Sequence, residues 1–194
     1  MFTSALHFLL STILNLLCFM FMLRFLMQYL KCSFANPLGQ IVIALTDFAT
    51  KPARKFIPGW RRWDISTLAL ALATQLLLQW LLLVLRDFPI GLAGTTPWLV
   101  IFGTSLLGLA RTVLDIFFYA ILFQAILSWV NPYHAISSAL NPLTQPILSP
   151  IRRILPLANG IDFSPLAALI LLQMLNVSVI SGLAYQLNTW VLGS

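Results

Sequence analysis

The chain has 194 residues, of which 60% are hydrophobic and 8% charged, and its formal net charge is +6. A soluble domain carries about 25% charged residues, so this chain lacks the polar surface that water requires and reads as a membrane protein. Its eleven basic residues lie scattered beside apolar runs rather than along one face, which removes nucleic acid from the expected partners.

A membrane span needs about 20 apolar residues, because each adds roughly 1.5 Å against a hydrocarbon core of roughly 30 Å. Four segments meet this. The first covers about 5–30. No Lys or Arg precedes it, and the apolar run is about twice the roughly 7–15 residues of a signal-peptide core, so it is expected to persist as a span. Cys18 lies inside it and Cys32 just beyond; two cysteines make no disulfide framework and read as small apolar or interfacial residues. Met20, Met22 and Met27 read as core packing rather than a metal run. Arg24 and Gln28 share a helix face at i, i+4 spacing near the end of the span, where Arg24 is expected to snorkel to the headgroups.

The following loop, 31–64, carries Lys31, Lys51, Arg54, Lys55, Arg61 and Arg62. Asn36 suits a helix cap and Pro37 a first helical position. Leu38, Ile41, Val42, Leu45, Phe48 and Ala49 then recur at helical spacing, as in a helix lying in the membrane interface or packed on its own bundle. Next comes Pro52-x-Arg54-Lys55, where proline is expected to hold the chain extended or turning. Asp64 stands just before the second span, about 65–85, where a carboxylate is favoured by the unpaired amides and the helix dipole. Gln75 falls near the middle of that span, with Gln79 one turn beyond.

The third span lies within 98–130, with 112–130 as its core, 98–110 as a helical extension or outer-leaflet piece and about 104–130 as its bounds. Arg111 and Asp115 stand one turn apart and can neutralise each other. The loop 131–164 holds Asn131-Pro132 and then Ile136, Leu140, Leu143 and Ile147, a stripe interrupted by Pro142 and Pro146. Pro150-x-Arg152-Arg153 and Asp162 follow, and Ser164-Pro165 reads as a cap with a first-turn proline. Arg54–Asp64 and Arg152–Asp162 bonds are expected to tie the two loops down. The fourth span, about 166–192, contains Gln173 and Asn176. The two long loops hold eight Lys and Arg, against Arg86 alone in the 86–97 connection. Since such residues concentrate in cytoplasmic loops, both loops are expected in the cytoplasm and both termini in the periplasm.

The halves repeat. A shift of 98 residues brings Thr46 onto Thr144, Pro52 onto Pro150, Arg54 onto Arg152, Pro58 onto Pro156, Asp64 onto Asp162, Ser66 onto Ser164 and Gln75 onto Gln173. Asn36-Pro37 resembles Asn131-Pro132 with a three-residue length difference. The expected fold is all-α: two parallel helix–loop–helix repeats, 1–90 and 91–194, giving four transmembrane helices with interfacial loop helices.

With Pro52-Ala-Arg54-Lys55-Phe-Ile-Pro58 and Pro150-Ile-Arg152-Arg153-Ile-Leu-Pro156, each followed by Asp-x-Ser, the chain resembles the YggT family of bacterial membrane proteins. Leu127-Ser128-Trp129-Val130-Asn131-Pro132 is also similar to the family pattern, and the resemblance covers nearly the whole chain as two units. Two departures stand out. The family's further proline four residues before Pro-x-Arg is Pro146 in the second copy but Phe48 in the first, and its arginine before Ser-Trp is Gln124 here, while Arg24 holds the equivalent place in copy one. The resemblance implies an inner-membrane protein connected with osmotic or envelope-stress adaptation or with assembly of membrane complexes.

Intramembrane polar residues are costly and therefore candidates for function. Gln75 and Gln173, with Arg24, would line a shared polar path or instead hydrogen-bond between helices. His7 and His134 fall on opposite membrane sides, and no nucleophile–base set or phosphate-cradling Gly loop occurs, so the protein is expected to be non-enzymatic and to need no cofactor or metal. The leading expectation is a scaffold or assembly factor. Its loop residues Arg54, Lys55, Asp64, Arg152, Arg153 and Asp162 would engage anionic headgroups and a protein partner or second copy. The alternative is a small, oligomeric channel or carrier for a cation or osmolyte.

Overall fold

A computed structural model of the chain describes residues 2–57, 63–85, 96–130, 136–155 and 162–192. Pro58, Arg61, Arg62, Arg86, Asp87, Asn131, Pro132, His134 and Pro156 lie outside the described residues. Along the chain run α1 (Phe2–Tyr29), α2 (Pro37–Phe56), α3 (Ile65–Val84), α4 (Thr96–Val130), α5 (Ser137–Ile154) and α6 (Ser164–Met174). A π-helical segment (Leu175–Ile180) then leads into α7 (Ser181–Leu192). Four stretches are long and apolar enough to cross a membrane: Ser4–Tyr29, Ile65–Val84, Pro97–Ser128 and Ser164–Leu187. The expected all-helical, four-span architecture is what the chain adopts.

Local chemistry sets the boundaries. α1 stops where Lys31 takes a left-handed conformation, φ 56°. The Lys31 amide then bonds to the Gln28 carbonyl at 3.2 Å and the Cys32 amide to the Met27 carbonyl at 2.8 Å, a Schellman ending that satisfies the last carbonyls. Asn36 caps α2 by accepting from the Gly39 amide at 2.8 Å, with Pro37 in the first turn. Gly39 must be glycine, since a Cβ there would lie 2.6 Å from the Phe34 Cα.

One expectation needs correction. The Pro-x-Arg segments are helical, because α2 runs through Pro52 to Phe56 and α5 through Pro142, Pro146 and Pro150 to Ile154. Each proline removes one bond to the carbonyl four residues back. At four-residue spacing the α5 prolines concentrate these losses on one side, and Pro142, Pro146 and Pro150 line an open groove with Gln145, Ser149 and Arg153. The third span is one unbroken helix of 35 residues, so 98–110 is helical and continuous with 112–130, as the extension reading expected. At roughly 52 Å it exceeds the roughly 30 Å hydrocarbon thickness.

The spans pack in the order α1, α3, α4, α6. α3 meets α4 where the two repeats join, and α1 also touches α4. α2 lies against α1 and α3, as α5 does against α4 and α6. The main core draws Cys18, Phe21, Met22 and Met27 from α1, Val42 from α2, Ala71 from α3, Leu109 and Ile116 from α4, and Leu140 and Leu143 from α5. The second repeat's own core is smaller: Ile121, Leu148, Ala168 and Leu172. Leu16, Phe123 and Leu171 are among the large apolar side chains left exposed on the spans, as lipid contact requires.

Candidate functional site

Each repeat closes its loop with an ion pair. In the first, Arg54 Nη2 donates to Asp64 Oδ2. Asp64 also accepts from the Thr67 hydroxyl at 2.6 Å and caps α3. Burial opposes ionisation of Asp64, yet Arg54, Ser66 and Thr67 outweigh it and hold the carboxyl down at about 2. In the second repeat Arg152 Nε donates to Asp162 Oδ2 at 2.9 Å, and the Ser164 amide donates to Oδ1 at 2.9 Å. Asp162 is likewise lowered: burial works against it, while the Ser164 amide and Arg152 favour the charge. Both pairs expected from the repeat are present. Their basic neighbours differ in having no such partner: Lys55 and Arg153 are exposed and pair with no carboxylate among the described residues.

A second tie joins each first span to its loop helix. Arg24 does not snorkel. It is 6% exposed, and its Nη1 donates to Thr46 Oγ1 at 2.6 Å and to Asp47 Oδ1 at 2.8 Å. Lys51 meets the same carboxylate at 2.8 Å, and Lys51 and Arg24 together lower the Asp47 pKa. The snorkel expectation fails because α2 folds back over α1 and brings Asp47 against the guanidinium. Gln124 does the matching work: Thr144 Oγ1 donates to Gln124 Oε1, and Gln124 Nε2 donates to Asn141 Oδ1 at 2.7 Å. Arg24 and Gln124 are therefore equivalents 100 residues apart, one ionic and one neutral. Gln28 turns toward the loop, where its Oε1 accepts from Arg54 Nη2 at 3.4 Å. The role of Asp47 escapes a sequence reading, although its i, i+4 pairing with Lys51 and the repeated Thr46/Thr144 mark the place.

The intramembrane glutamines do not meet. Gln75 is 3% exposed at the seam between repeats, against Gly108 of α4. A Cβ at residue 108 would lie 2.6 Å from Gln75 Nε2, so glycine makes the room, and Gln75 Oε1 is buried with no hydrogen-bond partner among the described residues. Gln173 occupies the repeat-equivalent place on α6, where no span among the described residues covers it, and lies exposed in a shallow apolar recess with Ile170, Met174 and Val177. A path shared by the two glutamines within one chain is thus not formed. Arg111 and Asp115 do pair, Nε to Oδ2 3.9 Å, and Asp115 Oδ1 accepts from Asn176 Nδ2 at 2.9 Å. Asn176 sits in the π-helical segment, a rare local widening often found at functional positions.

Near the loop end of the second repeat a cavity of about 500 Å³ opens among α4, α5 and α6. Ile121, Leu148, Leu166 and Leu169 form apolar walls; Gln124, Ser128, Arg152 and Asp162 are its polar lining. At the corresponding place in repeat one, Phe25 stacks on Tyr29 with ring centroids 6.3 Å apart and meets Trp63 tilted at 6.1 Å.

This fold and its paired ties define a multi-span membrane protein of two helix–loop-helix–helix units. The chain belongs to the CCB3/YggT family, whose profile matches residues 3–85 and 103–183. It is 34% identical over 183 residues to the uncharacterized protein PA0392 of Pseudomonas aeruginosa, covering 93% of this chain and 91% of that one. To the uncharacterized protein YggT of Escherichia coli K12 it is 35% identical over 177 residues, covering 91% and 89%. No solved structure matches it.

Proposed function

We propose that this protein is a non-enzymatic inner-membrane scaffold or assembly factor that serves osmotic or envelope-stress adaptation. Its loop helices rest on the cytoplasmic leaflet, where they engage anionic lipid and a protein partner. One observation carries the reading: at the same register of α2 and α5, an exposed cation stands beside an exposed apolar side chain. Lys55 is followed by Phe56, 84% exposed, and Arg153 by Ile154, 79% exposed. Apolar insertion plus basic charge is the pattern of an interfacial helix on anionic lipid. Arg54 and Arg152 are tied to Asp64 and Asp162, so the cations without a carboxylate partner among the described residues, offered to the open leaflet, are Lys55 and Arg153.

The double variant Lys55→Gln/Arg153→Gln should lower retention of phosphatidylglycerol in native mass spectrometry several-fold, with an unchanged melting temperature in detergent. Unchanged retention would remove the lipid role. Affinity purification of the wild-type chain in mild detergent should bring down a membrane-protein partner, which the double variant binds less.

A further inference from the structure

In repeat two the cavity among α4, α5 and α6 occupies ground that repeat one fills with its own side chains. The 100-residue equivalence of Arg24 and Gln124 puts Ala125 where repeat one has Phe25, and Ser128 where it has Gln28. Phe25 is 8% exposed and locked against Tyr29 and Trp63; Gln28 accepts from Arg54. A methyl group and a hydroxyl leave that volume open. At about 500 Å³ the cavity falls within the roughly 300–1,000 Å³ of small-molecule sites. It is apolar on one side, polar on the other, and borders the loop end of the spans.

We infer that this cavity is a discrete phospholipid site, holding one acyl chain against Ile121, Leu148, Leu166 and Leu169 with the phosphate on Arg152. The choice of lipid as ligand rests on the function proposed above; the cavity itself does not. Arg152 gives its Nε to Asp162 at 2.9 Å, and among the described residues its two Nη groups make no bond. They form the two-pronged donor that phosphate matches. The Asp162 carboxylate near this site has one oxygen on Arg152 and the other on the Ser164 amide, so its charge is compensated. Gln124 and Ser128 add neutral polar groups to the same lining. Repeat one is closed to the same ligand, because Gln28 already accepts from the Nη2 of Arg54 and Phe25 fills the apolar half.

The test uses the full chain in nanodiscs containing a phosphatidylglycerol analogue with a photoreactive acyl chain, followed by peptide mapping. Labelling should concentrate on 121–128 and 166–169. The variant Ala125→Phe/Ser128→Gln installs the residues that repeat one carries; it should lose this labelling at least several-fold and melt at the same or a higher temperature. Ala125→Phe alone serves if the double variant fails to fold. Lys55→Gln/Arg153→Gln should leave cavity labelling intact while lowering total lipid retention, which separates this site from the leaflet contact. Inorganic phosphate should not displace the label, because it offers nothing to the apolar walls. Labelling spread evenly over the exposed faces, unchanged labelling in the filled variants, or full displacement by phosphate would each overturn the site.

Discussion

The side chain of Asp64 is 1% exposed and that of Asp162 29%, although both hold an arginine ten residues upstream. The same pair thus sits at two depths, and its contribution differs accordingly. Asp64→Asn keeps a cap but loses the charge-assisted bonds in a dry site, for about 2 kcal/mol. Asp162→Asn, in reach of water, should cost about 1 kcal/mol or less. Urea unfolding in detergent distinguishes them. The pH dependence has a definite sign. A carboxyl whose folded pKa lies below its ordinary value stabilises the fold above that value and loses the effect as pH falls. For Asp64 the loss should run from pH 3.8 down to about 2, and Asp64→Asn should flatten that part of the stability profile.

At the scale of elements, the seam between α3 and α4 buries an amide whose oxygen has no partner among the described residues. An unsatisfied buried acceptor costs about 1–3 kcal/mol. Gln75→Leu should therefore raise stability by about 1 kcal/mol if the residue only fills the seam. A residue on a transport path would behave differently, and liposome flux that vanishes in this variant would show such a path. Gly108→Ala should lower stability by about 1 kcal/mol or less, since the added methyl displaces only the end of the Gln75 side chain and Ala favours the helix. The loop helices follow a related logic. α2 turns Val42, Thr46 and Thr50 onto the bundle and leaves Ile41, Leu45 and Phe48 outward, so it is both packed and amphipathic at its outer face.

For the whole molecule, the repeats are not redundant copies. The first contributes most of the main core, an ionic tie at Arg24 and an aromatic plug; the second has a small core, a neutral tie at Gln124 and a cavity. Parallel repeats require both loop helices on one side of the bilayer. Cysteines placed at Lys55 and at Arg153 should both label with a membrane-impermeant reagent only after access to the cytoplasmic face. Labelling of either from the periplasm in intact cells would reject the arrangement.

Hydropathy and the doubled Pro-x-Arg…Asp-x-Ser pattern determined the four spans, the duplication and both Arg–Asp ties, because length against bilayer thickness and local spacing are one-dimensional properties. Asn36 and Pro37 likewise announced the start of α2 through chemistry confined to four residues. Only the tertiary structure decided that α2 lies over Arg24, since the Asp47 that receives it comes 23 residues later on another helix. It also decided that Gln75 is buried while Gln173 is bare, and that Ala125 and Ser128 border open space. Equal sequence positions in the two repeats face unequal neighbours, because α4 packs on α3 at Gln75 whereas no described span packs over Gln173 on α6; that difference lies in packing between elements, where no local pattern records it.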